Sequence, residues 1–141
     1  MYELTHHIVS LPTSQYIQEY RNPEKFISFC QQCERYNRCW ACPPFEFNTD
    51  EYLSGYQQTY IIGTKITFET ATRNSCTTLE QHKTISLQAI ESARKIIDPQ
   101  LLTLEHEYPD SRAFYAGTCH LCPLNSCTRI NGFPCLHPQE I

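Results

Sequence analysis

The sequence predicts an α+β fold: a small mixed sheet packed on one long helix and shorter helices, with two cysteine-rich loops. Three observations carry this. Residues 58–69 are rich in β-branched and aromatic side chains, the composition of a strand. From Thr77 onward apolar residues recur close to every 3.6 positions, the period of an amphipathic helix. Eight of the nine cysteines fall into two clusters of four. Four thiolates close one tetrahedral zinc site or hold one iron–sulfur cubane, so both clusters are read as metal loops.

The elements follow in order. Thr13 or Ser14 is suited to cap a short helix through Arg21, because a hydroxyl there can accept from a first-turn amide. Asn22-Pro23 restarts a helix, with proline suited to the first turn. Phe26, Ile27 and Phe29 are expected as its buried stripe, and it runs into Cys30. Pro43-Pro44 closes the first loop, and Asn48, Thr49 or Asp50 caps another short helix ending near Gly55. In the strand, Tyr60, Ile62, Ile66 and Phe68 share one parity, and Gly63 marks a bulge or a close approach. Thr77 and Glu80 have capping-box spacing. Leu79, Ile85, Leu87, Ile90, Ala93, Ile96 and Ile97 then make the longest helix, which Asp98-Pro99 stops or kinks before a helical continuation to about Glu107. Arg112 to Ala116 reads as a short strand leading through Gly117 into the second loop. A strand, helix, strand order allows a parallel pair with a right-handed crossover.

The length of 141 residues suits one domain, with residues 1–141 forming a single cysteine-rich metal-binding unit. Hydrophobic content is 40% and glycines number only four, which argues against disorder. The net charge of −4 does not favour a nucleic-acid partner. Arg35 and Arg38 beside Tyr36 and Trp40 are too few to form a phosphate track. No apolar run approaches the ~18 residues of a membrane span, and the N-terminal segment has no basic region followed by an apolar stretch. A cytoplasmic location is therefore expected, where thiols stay reduced and clustered cysteines serve metals. Nine cysteines in 141 residues also fall below the ~8–10% of a disulfide scaffold.

The first cluster is Cys30, Cys33, Cys39 and Cys42, two Cys-x-x-Cys hooks separated by five residues. The second is Cys119, Cys122, Cys127 and Cys135, with two, four and seven residues between them. A Cys-x-x-Cys pair grips one metal from a single tight turn. Zinc ribbons separate their hooks by ~15–20 residues, so these compact loops suit a cubane better, with structural zinc as the alternative. Proline after Cys42 and Cys122 removes a competing amide donor. Cys39 is either the fourth ligand of the first set or a loop thiol. Cys76, before the long helix, reads as a small core residue, or else as a substitute ligand or reactive thiol. His120 and His137 suit hydrogen bonding near the second set better than ligation. His6 and His7 read as solvated side chains, and His82 and His106 lie on helix faces. Trp40, Tyr36 and Phe45 are placed to exclude water from the first loop. No phosphate-binding glycine loop, Gly-x-Ser-x-Gly or His-Glu-x-x-His is present.

The run Phe29-Cys30-x-x-Cys33-x-x-Tyr36-x-x-x-Trp40-x-Cys42-Pro43-Pro44-Phe45 resembles the first signature of the DUF2284 family of predicted metal-binding proteins. Ala116-Gly117-x-Cys119-x-x-Cys122, Cys127-Thr128-Arg129 and Pro134-Cys135-x-x-Pro138 resemble its second. The resemblance implies metal binding of an iron–sulfur kind. The family's first signature carries three cysteines, so Cys39 is an addition here. Members continue past the last Cys-x-x-Pro, whereas this chain stops at Ile141.

The expected protein is thus a cytoplasmic iron–sulfur protein acting in electron transfer or redox sensing. Cys119, Cys122, Cys127 and Cys135 would hold a [4Fe–4S] cluster, and Cys30, Cys33, Cys39 and Cys42 a second centre. Its partner would be a redox protein, with neither nucleic acid nor membrane. Two alternatives stand beside this: a structural zinc-binding protein-interaction module, and a cluster-dependent enzyme with an open iron site if Cys39 does not ligate.

Overall fold

The computed structural model describes residues 1–123 and 125–140. Its architecture is α+β, a two-stranded antiparallel sheet with one long helix and shorter ones. The chain forms two compact units, each assembled from two stretches of sequence.

The first unit comprises Met1–Leu11 and Thr59–Ala113. Strand β1 is Tyr2–Pro12 and strand β2 is Gln58–Phe68. The register is constant along the pair. The Glu69 amide donates to the Met1 carbonyl at 3.2 Å. His6 Nδ1 and Thr64 Oγ1 share a hydrogen bond of 3.0 Å. The rings of Tyr2 and Phe68 meet edge-on at 6.0 Å, a cross-strand aromatic pair that helps lock the register. β1 was not expected from the sequence. It also places His6 and His7 within a strand. A Cβ on Gly63 would sit 3.9 Å from the His7 carbonyl oxygen, an ordinary contact, so neither a bulge nor a close approach explains that glycine.

Helix α4, Thr70–Ser75, follows β2, and α5 runs unbroken from Leu79–Glu107. The capping box of α5 is Thr78 with Gln81, one residue beyond the expected Thr77 and Glu80. The Gln81 amide donates to Thr78 Oγ1 at 3.2 Å, and Gln81 Oε1 accepts from the Thr78 amide at 3.2 Å. Pro99 neither stops nor divides the helix. Arg94 pairs with Asp98 at 2.7 Å, and Thr103 Oγ1 donates to the Pro99 carbonyl at 3.0 Å, so both sides of the proline are tied down. The covered face of α5 is narrow, and its two buried residues are Ala89 and Ala93, one turn apart. Leu79, Leu87, Ile90 and Ile96 face outward, with Leu87 61% exposed. Their recurrence at helical spacing therefore makes the helix without making a core. Arg112 to Ala116 is not a strand, and no parallel pair forms among the described residues. Glu105 holds this segment instead, accepting from Arg112 at 2.6 Å and from the Ala113 amide at 2.7 Å. The Ala113 amide is thus spent on a carboxylate rather than on a neighbouring strand.

The second unit comprises 12–58 and 114–141 by its boundaries. Helix α1, Thr13–Gln15, continues as a π-helical turn over Tyr16–Tyr20. Thr13 is its first residue and is buried, with Pro12 at the cap position, so the expected hydroxyl cap does not form. Helix α2 is Pro23–Gln31, and Asn22 caps it by accepting from the Lys25 amide at 3.0 Å. Phe26 and Phe29 are 55% and 60% exposed, so the expected buried stripe faces outward. A helix buries its apolar side only where another element supplies a facing surface, and none among the described residues covers this one. Helix α3 is Thr49–Ser54, capped by Asn48 and ended at Gly55. Arg21 pairs with Asp50 and donates to Thr49 Oγ1 at 3.2 Å, tying the end of the π-helical turn to the start of α3.

Candidate metal centre

Short hydrogen-bonded turns shape the cysteine loops, and all eight clustered cysteines belong to the second unit. In the first loop the hooks close by backbone bonds. The Cys33 amide donates to the Cys30 carbonyl at 2.9 Å, and the Cys42 amide to the Cys39 carbonyl at 3.0 Å. Asn37, at φ 57°, turns the chain between the hooks, and its amide donates to Pro43 O at 2.8 Å. Both hooks thus adopt the tight turn that their spacing requires.

In the second loop the amides turn toward sulfur. The Leu121 amide donates to Cys119 Sγ at 3.5 Å, and the His137 amide to Cys135 Sγ at 3.3 Å. Such bonds favour the thiolate and tune a bound centre. His137 therefore acts through its backbone. Cys127 leads into a 3-10 turn, Thr128–Asn131, in which the Ile130 amide donates to the Cys127 carbonyl at 3.1 Å. Gly132 at φ 72° ends that turn and lets the Phe133 amide return to the Thr128 carbonyl at 3.1 Å.

All nine cysteines are free thiols. Cys39 is buried, at 6% exposure, and Cys33 is exposed, while the other six clustered cysteines are half-buried. Burial pushes the Cys42 thiol up to about 12, with Cys39 adding to the rise through its charge and a thiol–thiol hydrogen bond, Cys33 adding further, and Arg35 opposing. Burial also raises Cys119, against the Leu121 amide, with Cys39, Cys122 and Cys135 contributing. Cys135 is raised by burial, against the His137 amide, with Cys127, Cys122 and Cys39 contributing. These mutual effects group Cys33, Cys39 and Cys42 on one side and Cys119, Cys122, Cys127 and Cys135 on the other, with Cys39 within electrostatic reach of both.

Electrostatic reach is not coordination. Among the described residues, no three side chains of His, Cys, Asp or Glu converge closely enough to hold one ion. Neutral thiols have no attraction that would draw four sulfurs together, so convergence on an ion requires side-chain rotation and loss of the protons. The donor set nevertheless fits a thiolate-bound centre. Two sulfurs already accept amide hydrogens, and the Thr118 hydroxyl, next to Cys119 in the chain, is buried without a hydrogen-bond partner among the described residues. A buried unpaired hydroxyl costs roughly 1–3 kcal/mol, and a sulfur-rich group seated at the neighbouring cysteine would offer it an acceptor.

Cys76 stands apart from both sets. It belongs to the first unit, half-buried between α4 and α5, beside a shallow cavity lined by Ser75, Glu80, Gln81, Thr84 and Ile85. It is therefore not a core residue.

Sequence reasoning gave no role to Arg129 beyond its place in a motif. Its Nη1 donates to the carbonyl oxygens of Cys39 at 2.9 Å and Cys42 at 2.7 Å, and its Nη2 to that of Pro44 at 2.6 Å. Trp40 packs its ring 5.0 Å from that guanidinium, a cation–π contact, and its Nε1 donates to Phe133 O at 3.1 Å. The available signal was the Cys127-Thr128-Arg129 run itself: a lone arginine two residues after a ligand-type cysteine.

No helix among the described residues is long and apolar enough to cross a membrane. No curated protein and no solved structure matches this chain. A family model does, over residues 16–141, and it is described as a predicted metal-binding protein. That span takes in both cysteine loops and nearly the whole sequence, and the chain belongs to the DUF2284 family of predicted metal-binding proteins.

Proposed function

We propose that this chain is an iron–sulfur protein of the cytoplasm that transfers single electrons or senses redox state. Cys119, Cys122, Cys127 and Cys135 hold a [4Fe–4S] cluster in this reading, and Cys30, Cys33, Cys39 and Cys42 hold a second centre. The observation that carries it is the pair of amide-to-sulfur bonds at Cys119 and Cys135. Amides aimed at cysteine sulfur stabilise negative charge there and raise the potential of a cluster. The cluster supplies the exchangeable electron. The protein holds the sulfurs, and the buried Thr118 hydroxyl precedes one ligand in the chain. With a net charge of −4 before any cluster is added, the fitting partner is a redox protein with a basic docking surface.

The test is analysis of protein produced without oxygen. Iron and acid-labile sulfide in similar amounts, with a brown colour that bleaches on reduction, are expected. Zinc without sulfide would replace this reading by a structural zinc module for protein interaction. Replacing Cys39 by Ser then tests the second centre: lost iron makes Cys39 a ligand, whereas unchanged iron and sulfide leave a three-cysteine site with an open iron position, as a cluster-dependent enzyme would have.

A further inference from the structure

Arg129 and Trp40 ligate nothing in the reading above, yet each reaches from one cysteine loop into the other. The three carbonyl oxygens held by Arg129 belong to Cys39, Cys42 and Pro44, so the guanidinium grips both ends of the second hook and the second residue beyond it. Arg129 itself sits in the turn that begins directly after Cys127. In return Trp40, inside that hook, binds the carbonyl of Phe133, two residues before Cys135. Thr128 Oγ1 closes the base of the clasp by donating to Pro134 O at 2.7 Å. Every anchor lies within two residues of a candidate ligand cysteine.

We propose that Arg129 is a positioning residue that couples the filling of the two cysteine sets, so that metal in one loop organises the other. The inference rests on the metal-binding reading of both sets. The guanidinium is a planar fork that stays charged at every accessible pH, and its bonds to carbonyls are charge-assisted. A hook whose carbonyls are fixed loses less conformational freedom when its sulfurs close on an ion. The turn after Cys127 is ordered when the second set is filled, and that turn carries Arg129. Coupling of this kind is reciprocal: each set raises the affinity of the other by the same factor. The arginine also offsets the negative charge that accumulates when two thiolate centres lie close together. Cys39, whose carbonyl oxygen accepts from Arg129 at 2.9 Å, is the buried thiol at this clasp.

The experiment is an anaerobic titration of the reduced, metal-free full chain with Co²⁺, read by the thiolate-to-cobalt charge-transfer band. The unmodified chain is expected to fill in one cooperative step. Arg129→Lys keeps the charge but cannot span three carbonyls. It is expected to split the titration into two separate steps, the weaker shifted about 10–100-fold, as loss of an outer-shell partner does. Far-UV circular dichroism should be unchanged, because the long helix lies outside these loops. Trp40→Phe keeps an aromatic ring but removes the N–H donor together with part of the indole, and it should give the same split with a smaller shift. It carries the test alone if the arginine variant does not fold. Independent filling in the unmodified chain, or one unaltered step in both variants, overturns the coupling while leaving metal binding intact. Absence of any charge-transfer band in the unmodified chain overturns the metal reading itself, and the coupling with it.

Discussion

The indole N–H of Trp40 donates to the carbonyl oxygen of Phe133 at 3.1 Å, joining residues 93 positions apart in the chain. Trp40 lies between Cys39 and Cys42, and Phe133 lies just before Pro134-Cys135. The chain contains a single tryptophan, so its emission reports on the junction of the two cysteine loops and on nothing else.

Reconstitution with iron and sulfide is therefore expected to quench most of the Trp40 emission, because the cluster's broad absorption overlaps it at short range. Zinc, which has no such absorption, should only shift the spectrum. A fluorescence titration alongside metal analysis checks this. Emission that stays constant while iron is taken up would place the centre away from Trp40.

Gly132 is a second point of leverage. Its φ of 72° disfavours side-chain-bearing residues, while a Cβ there would meet nothing within 4 Å. Gly132→Ala should therefore destabilise the second unit through backbone conformation alone, by roughly 1–2 kcal/mol. Gly132→Asn should cost less, since asparagine tolerates this region and this chain already uses Asn37 and Asn125 at φ 57° and 61°. Urea denaturation followed by Trp40 fluorescence measures both. Equal midpoints for the two variants would show that the turn is not held in this conformation.

The raised Cys42 thiol predicts a pH effect in the metal-free chain. Its folded value of about 12 lies above the ordinary 9.0, so the folded state holds the proton more tightly than the unfolded state. The resulting stability is fully present below about pH 9 and is lost as pH rises toward 12. Cys119 and Cys135 shift in the same direction. Alkylation proceeds through the thiolate, so Cys42 should be modified later than exposed Cys33 at pH 8, with the difference narrowing above pH 10. Mass spectrometry of iodoacetamide-treated protein gives the order. Metal competes with these protons, so its uptake should strengthen as pH rises.

The elements read correctly from sequence share a short range. Asn22 and Asn48 cap helices by bonds spanning two or three residues, Gly55 ends α3, and β2 is a dense run of β-branched and aromatic side chains. The capping box was displaced by one residue because Thr77 and Thr78 stand side by side and only the Thr78–Gln81 geometry closes both bonds. β1 has no local signature because its partner strand begins only at Gln58, far beyond its own end at Pro12, with no hairpin turn to announce the pairing. Phe26 and Phe29 were expected inside because spacing reveals amphipathicity and not whether anything covers the apolar face.

The candidate site divides along the same line. Residue identity and spacing were enough to name the eight cysteines and the two loops, since a Cys-x-x-Cys turn closes through bonds between neighbours. Tertiary structure alone brought the loops together through Arg129, buried Cys39 at their junction, and left the Thr118 hydroxyl without a partner among the described residues. Contacts across 85 to 93 residues depend on how the intervening chain folds back, and no local pattern encodes that path.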